Sequence, residues 1–548
     1  MDEPVLVVGA GPVGLGAALL LARWGVPTVV LDARPGRDAV GSKAICMQRD
    51  ALNVFERIGC AGPMLARGVT WTVGRTYYRD QELFTTTFES GGGLPPWINI
   101  SQSDTERYLA ERAENTAGVD VRYGHRVVGV DQDSSGVRVR VETAGGTQML
   151  AGSHLIGADG GRSTVRDAVG IDFPGHSFDE KFLICDIRAD LPFPNERRFF
   201  FDPAWNPGRQ VLVHQCPRGV WRIDWQVPDD YDPQAERTSG ALDARIRRIV
   251  GEVPYQIVWL SVYRFHERCA ARFRAGRVFL VGDAAHLFAP FGARGLNSGM
   301  HDAENIAWKL AFVRNGWVTG PAADVLLDSY HGERHPAALE NLRVTNATME
   351  FLVPRTPEQR SRRLAVLDRA STDPSVRRLV DSGRLAEPYW YLDSALTTPG
   401  PGAEVFPVDP GAARPPVAGV ICPDAPCTVP DRPDVARLRQ LFGDGFVLLL
   451  ARKDQVSAAR AACAAVTAPV AVHAVDDIDH TGAVATALRV EADSAHLVRP
   501  DGYLAAVPPR FDPAVLRAAV GRATGQDPSP HGSTGSTGST GPAGSAGS

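Results

Sequence analysis

The sequence lacks any apolar run of the roughly 18 residues that a membrane-crossing helix requires, so no membrane partner is expected. It has little cysteine. Eight residues are scattered through 548, at Cys46, Cys60, Cys185, Cys216, Cys269, Cys422, Cys427 and Cys463, with neither a CxxC pair nor a zinc-binding spacing. It lacks a basic excess: 58 Lys+Arg stand against 63 Asp+Glu, a net charge of −5. That argues against a nucleic-acid partner, which calls for a basic stripe. The opening MDEPVLVVG is acidic and runs straight into a strand, so a signal peptide is not expected. The expectation is a reduced, cytoplasmic, soluble protein without a metal site. What is present is core material. Apolar residues make up 44% and charged residues 22%, and the length suits three or four domains of roughly 100–200 residues each.

Composition divides the chain into stretches. Residues 1–170 read as mixed β and α. Residues 171–270 carry strand-like runs: FLICDI (182–187), RRFFF (197–201), QVLVH (210–214), VWRIDWQV (220–227) and IVWLSVYRF (257–265). In 220–227, Trp221, Ile223, Trp225 and Val227 alternate with Arg222, Asp224 and Gln226. That pattern predicts a half-buried antiparallel strand. Residues 271–396 return to a strand and helical patterns, and the Pro/Gly-rich 397–416 reads as a linker. Residues 417–525 form a small α/β segment whose last helix starts at Asp512-Pro513. The Gly/Ser/Thr tail, 526–548, has almost nothing to bury and is expected to be disordered.

The first chemical motif is Gly9-Ala-Gly11-Pro-Val-Gly14, between a strand at Val5–Val8 and a helix over Leu15–Trp24. A second strand ends at Asp32. Gly9 suits a tight turn, Gly11 close approach of backbone to a pyrophosphate, and Gly14 helix–strand packing. The helix N-terminus offers N–H groups to the diphosphate, and Asp32 can accept from a ribose hydroxyl. This motif alone does not separate FAD from NAD. Two further strand ends carry acids: Asp159-Gly160 in HLIGADGGRSTVR, and Gly282-Asp283 in RVFLVGDAAH. Asp283 can bind a second polyol, such as the ribitol chain of FAD. The following loop, with Gly292, Gly295 and Gly299, lets backbone approach a flat ring, and a helix starting near Leu296–Asn297 would place its dipole there.

With these three motifs in order, the chain resembles the class A FAD-dependent aromatic hydroxylases, in particular their phenol-hydroxylase, 3-(3-hydroxyphenyl)propionate-hydroxylase and polyketide-hydroxylase branch. The run GDAAH followed by GLNSGMHDAENIAWKLA carries the likeness, which spans about residues 4–390 and continues weakly to about 507 through LVRPDGYLA (497–505). The resemblance implies an α/β fold: a Rossmann-type FAD-binding domain, an inserted antiparallel-sheet substrate domain and a thioredoxin-like C-terminal domain. It implies that Asp32 holds the adenosine ribose, Gly11 lines the diphosphate, Asp283 binds ribitol, and Gly295, Leu296 and Asn297 back the flavin ring. Gln102 occupies the place of a family glutamine that contacts FAD. Asp159, Gly160 and Arg162 match a site shared by FAD diphosphate and transient NAD(P)H. Three positions depart from the family. Asp32 stands where Glu is common, Lys43 where Arg is usual, and PFGARG replaces the common flavin-loop sequence, which brings Arg294 beside the ring.

The implied activity is an NAD(P)H-dependent monooxygenase. Reduced FAD takes O₂ to a C4a-hydroperoxide that hydroxylates a phenolic or polycyclic aromatic substrate. Baeyer–Villiger insertion by the same flavin peroxide, and a flavin-binding protein without turnover, are the alternatives. The aromatic-rich 197–265 stretch suits a dry lid. Phenol activation needs a base or a charge partner, and Arg222, Tyr263, His214 and Arg294 are the candidates. His286 reads as structural, while Arg294 reads equally as a solvent-facing loop residue. With no CxxC in 417–525, that segment reads as a packing or dimer-contact module, compatible with a homodimer.

Overall fold

The computed structural model describes residues 3–37, 44–89, 93–400, 406 and 414–526. Lys43 and, apart from Gln526, the 526–548 tail lie outside the described residues.

One sheet orders the strands Arg274–Ala275, Val278–Leu280, His154–Gly157, Val5–Val8, Thr28–Leu31 and Val119–Arg122. All its pairings are parallel except the first. Its strands are short apolar runs because both faces are covered, as parallel sheets require. Val8 pairs with Leu31 and Gly157, and Gly157 pairs with Leu280. The four chains therefore leave the sheet in one row, and Gly9, Asp32, Asp159 and Asp283 emerge along a single edge. Ligands bind at that edge in open α/β sheets. Helix Pro12–Arg23 begins with Pro in its first turn, where a missing N–H does no harm. It packs on helix Gly295–Arg314, and a Cβ on Gly16 would lie 2.7 Å from Met300 Cε.

A second, eight-stranded sheet runs His286–Leu287, Tyr255–Cys269, Gly175–Ala189, Val220–Val227, Gln210–Cys216, Arg197–Phe201, Val73–Tyr78 and Gln81–Thr87. All pairings are antiparallel except Arg197–Phe201 with Val73–Tyr78. It thus draws two strands from before residue 171 and one from after 270, so the sheet is wider than the 171–270 stretch. Trp221, Ile223, Trp225 and Val227 pack with Leu183, Cys185, Val211 and Val213 under the helix Ala241–Val250. The opposite face is not solvated, as alternation alone would suggest. Arg222 is 1% and Gln226 4% exposed, because this face roofs a cavity.

The 417–525 segment contains a sheet ordered Val470–Ala474, Phe446–Leu450, Ala495–Val498 and Leu504–Ala506, the first pairing parallel and the others antiparallel. Helix Pro513–Ala523 is capped by Asp512, whose carboxylate accepts from Ala514 N at 2.6 Å. Trp308 and Phe312, on the helix Gly295–Arg314, share a core with Phe446, Leu448 and Leu450. The segment is packed against the rest of the chain, not tethered to it. Among the described residues no helix is long and apolar enough to cross a membrane, and no group of three His, Cys, Asp or Glu is placed to hold a metal ion.

Candidate functional site

One cavity of about 850 Å³ runs from the parallel-sheet edge to the eight-stranded sheet, within the size range of ligand pockets. At the first end the backbone forms a cradle. Gly9 has φ +107°, and a Cβ there would sit 2.4 Å from Ala158 O. A Cβ on Gly14 would sit 2.0 Å from Gly9 O. Gly11 faces open space and caps helix Pro12–Arg23 without any side-chain hydrogen bond. That leaves N–H groups and the positive end of the helix directed at a would-be diphosphate. Asp32 accepts from Ala10 N at 2.7 Å and from Arg34 N at 2.8 Å. Arg34 also forks onto it through Nε and Nη2, both at 3.0 Å. Burial pushes the Asp32 carboxyl up, but the Arg34 bonds prevail and hold it below the usual carboxylate range.

The cavity also brings together Gln102, Asp159, Gly160, Arg162, Asp283, Arg294, Gly295, Leu296 and Asn297 from the sequence reading, with Arg222, Tyr263 and His214 at its far end. Gly14 and Gly282 sit behind the wall, in the packing. Gln102 opens helix Gln102–Glu114 and accepts from Ala44 N at 3.2 Å. Asp159 turns its carboxylate inward, to Ser163 Oγ at 2.5 Å and Val165 N at 3.0 Å. It shapes the turn as well as lining the cavity, and burial raises its pKa. Asn297 accepts from Gln48 N at 2.9 Å and donates to Cys46 O at 3.0 Å, so it ties the Cys46–Gln48 strand to the glycine loop at Gly292–Gly295. His286 Nε2 donates to Asp302 Oδ2 at 2.6 Å and is 1% exposed, in keeping with a structural role.

Arg294 is not a surface residue. It is 4% exposed, and its guanidinium donates to Asn341 Oδ1 at 2.5 Å and Arg384 O at 2.9 Å. Burial, followed by the nearby Arg384 charge, brings its pKa down to about 10. PFGARG could not reveal this, because the partners lie 47 and 90 residues away.

The far end of the cavity is a chamber under the eight-stranded sheet. Phe182 stacks on Phe265 at 4.5 Å, and Phe291 of the glycine loop meets Phe182 edge-on at 5.3 Å. Arg222 forks onto Asp186 at 2.8 and 2.9 Å and lies 5.4 Å from the Trp259 ring centroid. His214 is buried; desolvation, then Arg197 and Arg222, holds its pKa well below the ordinary value, so the ring is neutral. Sequence reasoning missed three polar residues of this chamber. Cys46 is pushed up to about 12 by burial. Arg197 is buried, with its guanidinium on Ser382 O. Asp224 lines the cavity, and its Oδ1 has no hydrogen-bond partner among the described residues. The alternation around Trp221 did place Asp224 beside Arg222 on one face; only the covering of that face was invisible.

Known families match the chain over two stretches. An FAD binding domain model matches residues 2–345, and an aromatic-ring hydroxylase C-terminal model matches 415–527. The chain is 32% identical over 389 residues to a para-nitrophenol 4-monooxygenase of Pseudomonas sp. (strain WBC-3), covering 69% of this chain and 94% of that protein. It is 31% identical over 388 residues to a 3-(3-hydroxy-phenyl)propionate/3-hydroxycinnamic acid hydroxylase of Mycolicibacterium gilvum (strain PYR-GCK), covering 69% of this chain and 65% of that one. Among solved structures, the flavin-dependent monooxygenase PieE in complex with FAD and substrate aligns with TM-score 0.81 at 26% identity, over 96% of this chain and 99% of that one. Aklavinone-11 hydroxylase with FAD and aklavinone shares the fold, with TM-score 0.76 at 24% identity, over 95% and 99%.

Proposed function

The chain belongs to the FAD-binding aromatic-ring hydroxylases, flavin-dependent monooxygenases, and from that premise we propose that it hydroxylates a phenolic or polycyclic aromatic compound with NAD(P)H and O₂. The observation that carries the reading is the single cavity joining the Gly9–Asp32–Asp283 edge to an aromatic-walled chamber that holds Arg222, His214 and Asp224. The relatives named for p-nitrophenol and for hydroxyphenyl-propionate act on phenols, and aklavinone gives a polycyclic precedent.

The residues present fit FAD. The glycine cradle and the uncapped helix end would take the diphosphate, Asp32 the ribose, Asp283 the ribitol, and Gly295–Asn297 the ring. Lys43 and Arg162 are proposed for the phosphates of FAD and of passing NAD(P)H. Bound FAD, once reduced, supplies the activation of O₂ for transfer to an electron-rich ring. The chain's own share is positioning and dryness. Phe182, Phe265 and Phe291 exclude water from the ring-transfer region, and the Arg222–Asp186 pair fixes a charged, pre-oriented wall. Arg294 acts as a positioning residue, holding the loop at Gly292–Gly295 against the 384 segment. The order of strands in 417–525, one parallel and two antiparallel pairings, supports a thioredoxin-like reading of that unit. Its Cys422 and Cys427 are pushed up by burial to about 12 and about 11, which favours packing over redox use.

Two measurements test this reading. The purified protein is expected to release FAD, not FMN, on denaturation, and chosen phenols are expected to stimulate NAD(P)H oxidation, with H₂O₂ followed alongside. Product connectivity separates hydroxylation from oxygen insertion. Protein that binds no FAD, or that no phenol or polycyclic aromatic stimulates, overturns the proposal. Asp283→Ala is expected to weaken FAD binding by about 1.5–3 kcal/mol, the value of hydrogen bonds to a charged acceptor. Flavin titration of the apoprotein reads this directly, and an unchanged Kd removes Asp283 from the site.

A further inference from the structure

We propose that Asp224 is the base that takes the proton from the substrate's phenolic hydroxyl. The inference rests on the phenol reading above and names a group for the step that reading leaves open. Asp224 stands on the Val220–Val227 strand, paired across to Leu212 and Ile184, so its side chain and those two project to the same cavity-lining face. Its Oδ1 is buried and has no hydrogen-bond partner among the described residues. A buried carboxylate oxygen without a donor is costly and uncommon in a folded protein. At the wall of a ligand chamber, such an oxygen calls for a donor from the ligand, and a phenolic O–H is one.

The neighbouring charges explain why this carboxyl is suited to the task. Arg222, two residues away, would ordinarily hold an adjacent carboxyl strongly ionised. Here its Nε and Nη2 are committed to Asp186 at 2.8 and 2.9 Å. Asp224 therefore feels a nearly matched pair rather than a bare cation. The other titratable groups near it are Cys185 on Gly175–Ala189, Cys216 and His214 on Gln210–Cys216, and Cys46 on Cys46–Gln48, with Tyr263 of Tyr255–Cys269 on the same cavity wall. Burial holds the three thiols in the protonated form, at about 12 for Cys185 and Cys46 and higher still for Cys216, and the His214 ring is neutral. Burial raises Asp224 to about 7, with Arg222 pulling it down and Asp186 pushing it up. A base poised near neutral pH meets the usual requirement for general base catalysis.

The step balances simply. The phenolic O–H bond breaks, its electron pair stays on the phenol oxygen, and the proton forms an O–H bond on Asp224. The ring thereby gains the electron density that oxygen transfer demands. After oxygen transfer the oxygenated ring carbon gives up its hydrogen as a proton to water, the C–H electron pair restores aromaticity, and the proton held on Asp224 returns to the phenol oxygen.

The sign of the pH effect follows. Below about pH 7 Asp224 holds its own proton and kcat/KM falls; above it the base is available. The experiment uses the FAD-loaded protein with two phenols: one un-ionised across the assay range, and one carrying two nitro groups, which is ionised throughout that range. With the parent, the un-ionised phenol is expected to show an acid limb near pH 7 whose midpoint does not follow the phenol's own acidity. Asp224→Asn is expected to lower kcat/KM for that phenol by about 100-fold or more, the usual range for a lost general base, and to abolish the limb. The ionised phenol is expected to lose much less. Asp224→Glu is expected to restore a limb at a shifted pH. Three results overturn the proposal: a parent limb that tracks the acidity of the phenol, an Asn variant that retains rate and limb, or equal losses on both phenols. If the Asn variant does not fold, the parent profile and the Glu variant still decide. If no phenol stimulates the parent at all, it is the phenol reading that has failed.

Discussion

Replacing Glu333 by Gln is expected to lower stability by about 3–5 kcal/mol, the penalty for breaking one partner out of a buried ion cluster. Glu333 is 1% exposed. Its carboxylate accepts from Arg499 Nη1 and Nη2 at 2.5 and 2.8 Å, Lys309 Nζ at 2.7 Å, Asn305 at 2.7 Å and Ser394 Oγ at 2.5 Å. Arg499 also forks onto Asp501 at 3.0 and 2.6 Å. Two cations and two carboxylates balance, all of them buried. Arg499 and Asp501 belong to the 417–525 segment, whereas Glu333 and Lys309 belong to the helices Pro321–Leu352 and Gly295–Arg314. The cluster therefore joins that segment to the helix leaving the flavin loop. Gln keeps the shape and removes the charge, leaving Arg499 and Lys309 in excess. Thermal melting by circular dichroism should show a large drop, and Lys309→Met combined with Glu333→Gln should recover part of it by restoring neutrality. A single variant within about 0.5 kcal/mol of the parent, the range of surface changes, would show that the cluster contributes little.

The pH dependence has a definite sign. Burial alone would raise Glu333, but Arg499 and Lys309 prevail and hold its carboxyl well below the usual range. A carboxyl depressed in the folded state contributes stability that is present above its unfolded pKa, roughly 4.3. That stability is lost as pH falls toward the folded value. The parent should therefore lose stability steeply below about pH 4, and the Gln variant should show a shallower acid slope.

The dinucleotide cradle was legible because its determinants are local. Gly9, Gly11 and Gly14 act through turn geometry and backbone approach within a few residues, and the strands at both sides fix where Asp32 ends up. The GD motif was legible for the same reason. The alternation around Trp221 correctly placed Arg222 and Asp224 together on one face. Periodicity reports which residues share a face, but not what it faces, and this one roofs a cavity whose other walls include Cys46, Trp71 and Phe291, all distant in sequence. Arg294 and Asp302 show the same limit. Their partners, Asn341, Arg384 and Arg334, come from other elements, and no spacing rule links them. The ion cluster at Glu333 was likewise hidden, since four charges spread over 193 residues between Lys309 and Asp501 look like solvated surface until helices bring them together.

Asp302→Ala is expected to reduce both stability and FAD affinity, and the two losses can be separated. Asp302 is fully buried. Its Oδ2 accepts from Gly282 N at 3.0 Å and meets His286 Nε2 at 2.6 Å, while Oδ1 accepts from Arg334 Nε at 2.7 Å. Arg334 further donates to Tyr391 Oη at 2.9 Å and Ser298 Oγ at 3.0 Å. The carboxylate thus holds the strand-to-turn backbone at Gly282, φ +57°, one residue before Asp283. Alanine would leave the Arg334 guanidinium buried without its anion, a loss of about 3–5 kcal/mol. It would also free Gly282 N, so Asp283 would no longer be aimed into the cavity, and FAD affinity should fall by roughly 10- to 100-fold, equivalent to 1.4–2.8 kcal/mol. Asp283→Ala shares the second loss and not the first. Ligand binding to the folded state stabilises by RT ln(1 + [FAD]/Kd). Without FAD, Asp283→Ala should therefore melt close to the FAD-free parent, while Asp302→Ala melts several degrees below it, and saturating FAD should then open a further gap for each variant set by its weaker Kd. If both FAD-free variants melt with the FAD-free parent, Asp302 serves the cofactor alone and the Arg334 pairing carries no stability of its own. If Asp302→Ala binds FAD as tightly as the parent, the Gly282 contact does not aim Asp283, and the placement of that acid must come from the strand Val278–Leu280 alone.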